Sequence, residues 1–375
     1  MTETRRNVLT LVAAGIKRPA RHLLKDLEAN DLHPRVTFFG DTLNSDELDE
    51  EFLKRVHGFR GRIYKFLPTP LAQVLEAYFL RKNYDAIISW SEPFGLQFEL
   101  LLKLTGARVP HVALFGWPAK GKKAFLLRRV YTHIDRIMMW STVQREKVLN
   151  EIGVPSDKIS FIKWPVDQKF FRPVECDTDM IFAVGNEMRD YPTFLEAMKG
   201  LDIPCHIAAG TLIEKKSKWA SAIERRDDLP ASITVGKKTQ LELRKLYARA
   251  RFVVIPLHQT ETDNGITCIL EAFAMGKPVI CSHTIGQVDV IEDGKTGIFV
   301  PVGDTAALRK AILFLWNNPA EAKRLGEAAR RYVDEHATLE QFVEAVQQEV
   351  ERSIEAHGNI HATGIGVRET LRSVS

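Results

Sequence analysis

Cysteine is scarce in this chain and never clustered. Cys176, Cys205, Cys268 and Cys281 are the four among 375 residues, and no C-x-x-C pair occurs. That spacing argues against a zinc site or a disulfide framework and fits a reducing, cytoplasmic compartment. Long apolar runs are missing as well. No stretch reaches the roughly 18 apolar residues of a membrane-spanning helix. No low-complexity tract and no strong internal repeat occurs, which excludes solenoid and propeller architectures. Acidic residues are absent between Leu100 and Ile134, a stretch that holds seven bases.

What is present is a globular composition, 45% hydrophobic and 27% charged, long enough for two domains. The net charge of +4 is uneven: residues 1–175 carry +8 and the remainder −4. The basic stretch in the first half would attract phosphates, acidic glycans or anionic lipid, or simply form a solvated helix face. Within it, Lys120–Arg129 contains Phe125, Leu126 and Leu127. Such a helix could make peripheral membrane contact; a buried helix with a charged edge fits equally well. No nucleic-acid partner is expected. Arg5 and Arg6 ahead of Val8–Ile16 loosely resemble a signal peptide. Lys17, Arg18 and Arg21 follow at once, however, and a first buried strand ending near Gly15 is the better reading.

Short apolar runs alternate with amphipathic segments along the whole chain. Strands are expected at 7–13, 35–39, 86–89, 111–115, 136–140 and 159–162, then at 180–184, 205–209, 232–235, 252–256, 278–281 and 297–300. The alternation implies α/β architecture with parallel sheets, and its double occurrence implies two Rossmann-like domains with a cleft between them. A boundary falls in the aperiodic stretch 165–179, giving domains 1–168 and 169–350 with a closing helix end and tail over 351–375.

The most informative stretch runs from Pro256 to Ile280. A buried strand ends at Pro256, a polar loop follows, and a helix begins near Asn264 and stops at Gly276. A helix start at the carboxyl edge of a parallel sheet offers free N–H groups and a positive dipole end to a diphosphate. Asn264, Gly265, Ile266 and Thr267 would supply those amides. Gly265 would let phosphate oxygens approach, and Thr267 would add a hydroxyl. Asp263 lies just before the helix and Glu271 two turns inside it. One carboxylate could face a sugar and the other accept from ribose hydroxyls, or Asp263 could simply cap the helix.

This segment resembles the acid–seven–acid motif of retaining glycosyltransferase family 4, which has the GT-B fold. The stretch Ile285–Asp304, the order of Leu241, Leu246, Tyr247 and Ala250 before Phe252–Pro256, and the linker Trp164–Phe171 are similar to that family too. The resemblance covers residues 160–305. It implies sugar transfer from a nucleotide-sugar donor with retained configuration and without an obligatory metal or other cofactor. The acceptor, whether glycan, lipid-linked or small molecule, is not named by it. It also implies roles for Asp263 as the carboxylate nearest the sugar, Glu271 on the ribose, and Gly185 and Arg189 in the loop that meets the diphosphate.

Three departures stand out. The first acid is Asp263 rather than Glu, and Glu261 offers an alternative. Arg189 alone replaces the usual pair of cations, unless Lys215, Lys216 or Lys237 compensates. Trp117 stands where a His is usual on the acceptor side, to which Gly15 is also assigned. Two other readings remain open on the sequence: a nucleotide-sugar-binding partner subunit that has lost catalysis, and a phosphate-binding enzyme. The latter rests on Gly116–Lys123, one substitution short of a P-loop. A sugar phosphorylase or epimerase could use the same fold.

Overall fold

The structure is a computed structural model that describes residues 6–12, 19–209 and 229–372, with side chains to residue 358. Two six-stranded sheets organise it. The first comprises β1 (Val8–Leu11), β2 (Ser45–Leu48), β3 (Ala86–Ser89), β4 (His111–Leu114), β5 (Arg136–Met139) and β6 (Ile159–Phe161), in the order β2-β1-β3-β4-β5-β6. The second comprises β7 (Met180–Val184), β8 (Cys205–Ala208), β9 (Ile233–Val235), β10 (Ala250–Ile255), β11 (Val279–Ser282) and β12 (Gly297–Val300), in the order β12-β11-β10-β7-β8-β9. Every pairing is parallel. Helices cover both faces of such sheets, which is why β1, β3, β4, β7 and β8 are predominantly apolar and buried throughout.

Two compact units contain these sheets. One gathers the described residues of Met1–Gly15, Phe38–Ile162 and Val343–Ser375; the other those of Ile16–Thr37 and Lys163–Phe342. Neither is a single stretch of chain. Division at 168 and 350, as read from the sequence, would put residues 19–37 with the first sheet. In the structure they belong to the unit of the second.

The reason is an ion-pair cluster. The carboxylate of Asp167, from the Trp164–Phe171 linker, is buried. It accepts from the backbone N–H of Arg35 at 2.7 Å, from Arg35 Nη2 at 2.6 Å and from Arg35 Nε at 3.0 Å. The N–H groups of Lys169 and Phe170 add two longer bonds to it. Arg35 Nη1 also reaches Glu340 at 2.8 Å. Arg172 and Arg244 both clasp Asp31, which they hold down at about pKa 2.

This cluster also corrects the strand expected at 35–39. Arg35 spends its N–H on Asp167, and Phe38–Thr42 is a short helix. The second strand of the first sheet is instead Ser45–Leu48, with the sequence Ser-Asp-Glu-Leu. It sits at the sheet edge, where Asp46 and Glu47 reach solvent while Ser45 and Leu48 are buried, so it needs no apolar run. Its Ser45 hydroxyl bonds Thr10 Oγ1 at 2.6 Å across the pair.

The final helix, Leu339–Arg372, begins in the unit of the second sheet and continues into that of the first. There Glu349 pairs with Arg136, Glu351 with Arg6, and His357 lies 3.6 Å from Asp135. The basic helix Lys122–Val130 buries Leu127 and Val130, and the Arg129 guanidinium covers the Phe125 ring at 3.4 Å.

Replacing Asp167 by Ala removes five acceptor contacts and leaves Arg35 half-compensated. The expected loss is about 2–4 kcal/mol of stability, read as a lower urea midpoint at unchanged m-value.

Candidate functional site

In the second sheet β7 is followed by β8 and β9 on one side, whereas β10, β11 and β12 build outward on the other. The order therefore reverses between β7 and β10, and ligands of open parallel sheets bind outside the carboxyl ends of the strands at such a reversal. The loops leaving these two strands are stitched together here. Arg189 forms a backbone bridge with Leu257, His258 N–H donates to Met188 O at 2.9 Å, and Asp190 N–H donates to Pro256 O at 3.0 Å. The Asp190 carboxylate then caps the helix Tyr191–Met198 by accepting from Thr193 N–H.

Arg189 turns inward from this loop and is only 2% exposed. Its Nε donates to Val184 O and its Nη1 to Glu187 O, each at 2.8 Å, while Nη2 lies 3.6 Å from Cys268 Sγ. Among the described residues no carboxylate pairs with it. A buried cation held only by carbonyl dipoles is costly unless an anion arrives to compensate it.

Two glycines make room for it. Gly185 has φ +104°, and a Cβ there would stand 2.0 Å from Arg189 Nη2. Gly265, at φ +96°, would place a Cβ 3.4 Å from the same nitrogen. Both positions thus demand glycine for conformation and for space.

Gly265 is the N-cap of the helix Ile266–Ala274. This start lies slightly later than the sequence pattern places it, and Asp263 does not cap the helix with its side chain. Asp263 is 3% exposed, and its carbonyl accepts from Ile266 N–H at 3.1 Å. Neither Asn264 N–H nor Gly265 N–H donates to another described residue, so two backbone donors at the helix entrance stay unspent. The loop that carries them is pinned. Asn264 Oδ1 accepts from the hydroxyls of Thr260 and Thr262, and Asn264 O accepts from Gln287 Nε2 at 2.7 Å. Gly286 lets that second loop close in, since a Cβ there would stand 2.2 Å from Thr262 O.

Thr267 accepts at Oγ1 from Trp164 Nε1–H at 3.2 Å. Glu271 is half-buried, and Oε2 accepts from the Tyr247 hydroxyl at 2.7 Å. Burial pushes its carboxyl up to about 7, although the Tyr247 bond pulls the other way. Burial likewise pushes the Cys268 thiol up to about 11, against the pull of Arg189.

Gly185, Arg189, Gly265 and Cys268 are thus brought into contact, with Asp263, Asn264 and Ile266 alongside. Thr267 and Glu271 follow on the same helix. The sequence pattern singles out neither the Tyr247–Glu271 pair nor the Trp164–Thr267 and Gln287–Asn264 bonds. Tyr247, Trp164 and Gln287 stand only within longer matching stretches, and nothing local to them marks a partner. Lys215, Lys216 and Gly15 lie outside the described residues.

In the unit of the first sheet, Trp117 follows the carboxyl end of β4. Its N–H donates to Glu92 Oε1 at 2.5 Å, and Lys123 Nζ lies 3.1 Å from Glu92 Oε2. A protein carboxylate therefore occupies the donors of the Gly116–Lys123 loop, which removes the basis for reading that loop as a phosphate cradle.

Because the folded-state pKa of Glu271 lies above the ordinary carboxylate value of 4.5, the folded state holds its proton longer than the unfolded one. Stability from this group is present below about pH 4.5 and falls as pH rises to about 7. Glu271→Gln is expected to abolish that decline, gaining up to about 3 kcal/mol over wild type above pH 7. Chemical denaturation at a series of pH values checks it.

Residues 184–318 match the family model described as Glycosyl transferases group 1. The O-antigen chain mannosyltransferase C of Escherichia coli is 34% identical over 101 residues, 27% of this chain and 27% of that protein. The chain spans about a quarter to a third of the length of the first curated relatives it matches. Over nearly the whole chain the similarity is structural. Sucrose-phosphate synthase from Thermosynechococcus elongatus aligns with a TM-score of 0.73 at 16% identity, covering 94% of this chain and all of that one. Anabaena HepE in complex with UDP-glucose aligns with a TM-score of 0.66 at 11% identity, over 94% of this chain and 100% of that chain. The two parallel-sheet units therefore have the GT-B fold.

Proposed function

We propose that this protein is a retaining glycosyltransferase that takes a hexose from a nucleotide-sugar donor held by the unit of the second sheet. The observation that carries the reading is Arg189. A guanidinium that is buried, pairs with no carboxylate among the described residues and stands beside Gly265, at the helix entrance where the Asn264 and Gly265 N–H groups are unspent, calls for a diphosphate. The family match over residues 184–318 and the UDP-glucose bound in the HepE complex support the same donor class.

In this mechanism Arg189 and the unspent amides of Asn264 and Gly265 stabilise the leaving nucleoside diphosphate as negative charge gathers on it. Their charge is fixed before the reaction, so little reorganisation accompanies bond cleavage. No obligatory metal is invoked in that step. Asp263 is the carboxylate assigned to orient the developing oxocarbenium-like sugar, and Glu271 accepts from the ribose hydroxyls. Gly185 keeps the approach to the guanidinium open. The acceptor is bound by the unit of the first sheet, with Trp117 as a stacking surface for its ring.

Donor hydrolysis and transfer, measured with UDP- and GDP-hexoses in the presence of a chelator, test this. Asp263→Asn is expected to lower turnover at least a hundredfold, a loss of about 3 kcal/mol in transition-state stabilisation, with donor binding retained. Arg189→Ala and Gly185→Ala should weaken both, and Glu271→Gln mainly donor binding. Wild-type turnover in all four variants would overturn the assignment, and so would the absence of any thermal stabilisation by a panel of sugar nucleotides.

A further inference from the structure

The unit of the first sheet carries an apolar face that the donor site does not use. Between Phe52 and Leu75 the sequence has five bases, Lys54, Arg55, Arg60, Arg62 and Lys65, and no acid. The helix Gly58–Tyr64 lies in this stretch, and its two sides differ sharply. Inward, the Tyr64 hydroxyl donates to Glu76 Oε2 at 2.7 Å and Arg60 Nη1 pairs with the same oxygen at 3.2 Å. Outward, Phe59 and Ile63 stand at i and i+4 on one face of the helix, and Phe66 follows in the turn just beyond its end. They are 78%, 39% and 88% exposed.

The chain holds that face in place. Gly61 admits the Val56 carbonyl so closely that a Cβ would stand 2.0 Å from it. Phe66 N–H closes a further turn on Ile63 O. Phe79, 52% exposed, lies beside Arg60, whose guanidinium is 5.4 Å from its ring centre. Lys54 and Arg60 are spent on Glu51 and Glu76. Arg55, Arg62 and Lys65 are exposed and pair with no carboxylate among the described residues.

We propose that this face seats the protein on an anionic lipid surface. Phe59, Ile63 and Phe66 would enter the headgroup–acyl boundary while Arg55, Arg62 and Lys65 meet lipid phosphates. Charge decides the occupant. Three exposed cations with no carboxylate partner among the described residues, close in sequence to two nearly bare phenylalanines, suit a surface that is negative outside and apolar within. A second copy of this chain would bring the same positive charge against itself.

Co-sedimentation of the full chain with vesicles tests it, comparing pure phosphatidylcholine with a mixture containing phosphatidylglycerol. Binding is expected to the mixture, to weaken with added salt, and to be lost for pure phosphatidylcholine. Arg62→Gln with Lys65→Gln should weaken binding on the order of twentyfold. Phe59→Ser with Phe66→Ser should weaken it at least tenfold. Leu104→Ser, another exposed apolar residue, should leave it unchanged. Circular dichroism of each variant verifies the fold, which these exposed positions do not support. Three results would overturn the proposal: no wild-type binding to the anionic mixture, full binding by the Phe59 and Phe66 variant, or binding lost through Phe125→Ser instead. A dimer abolished by Phe59→Ser with Phe66→Ser would overturn it as well, by assigning the face to a second copy.

Discussion

A buried positive charge that no carboxylate among the described residues pairs with constrains everything around the β7–β10 reversal. The Arg189 guanidinium is held by two backbone carbonyls and rests against a thiol. That arrangement requires glycine at 185 and 265, because any side chain there would contest its space. It requires the two strand-end loops to be bonded to each other, since their backbones form the walls. The loop from Thr260 to Asn264 is fixed in turn by Gln287. Each surrounding feature keeps an uncompensated cation close to open backbone donors, which in the proposed function is what a departing diphosphate meets.

Much of the fold is readable from alternation alone. Eleven of the twelve expected strands coincide with observed ones, because a parallel strand covered on both faces must be apolar along its length. The exception teaches the converse. Ser45–Leu48 is an edge strand, paired to β1 on one side only, and polar residues suffice there. The apolar run at 35–39 imitates a strand because its fate depends on Asp167, 132 residues away from Arg35. No local pattern encodes a partner at that distance.

The site is legible to a similar degree and for related reasons. Helix starts and glycines leave local signals, so Gly265 and its neighbours stand out. Arg189 stands out only as a cation in the right loop. Its burial, and its use of carbonyls rather than acids, belong to tertiary structure. The raised carboxyl of Glu271 likewise depends on burial, against the pull of Tyr247, and a spacing of eight residues reports neither.

The interleaving of the two units has a consequence for synthesis. The unit of the first sheet is completed by residues beyond 343, whose Glu349, Glu351 and His357 meet Arg136, Arg6 and Asp135. On the ribosome those contacts form only after residues 343–357 have emerged, while residues 19–37 meet a partner at Asp167 that emerges much later. Both units thus draw on chain made far apart in time, and neither has all its contacts until the final helix has begun to emerge.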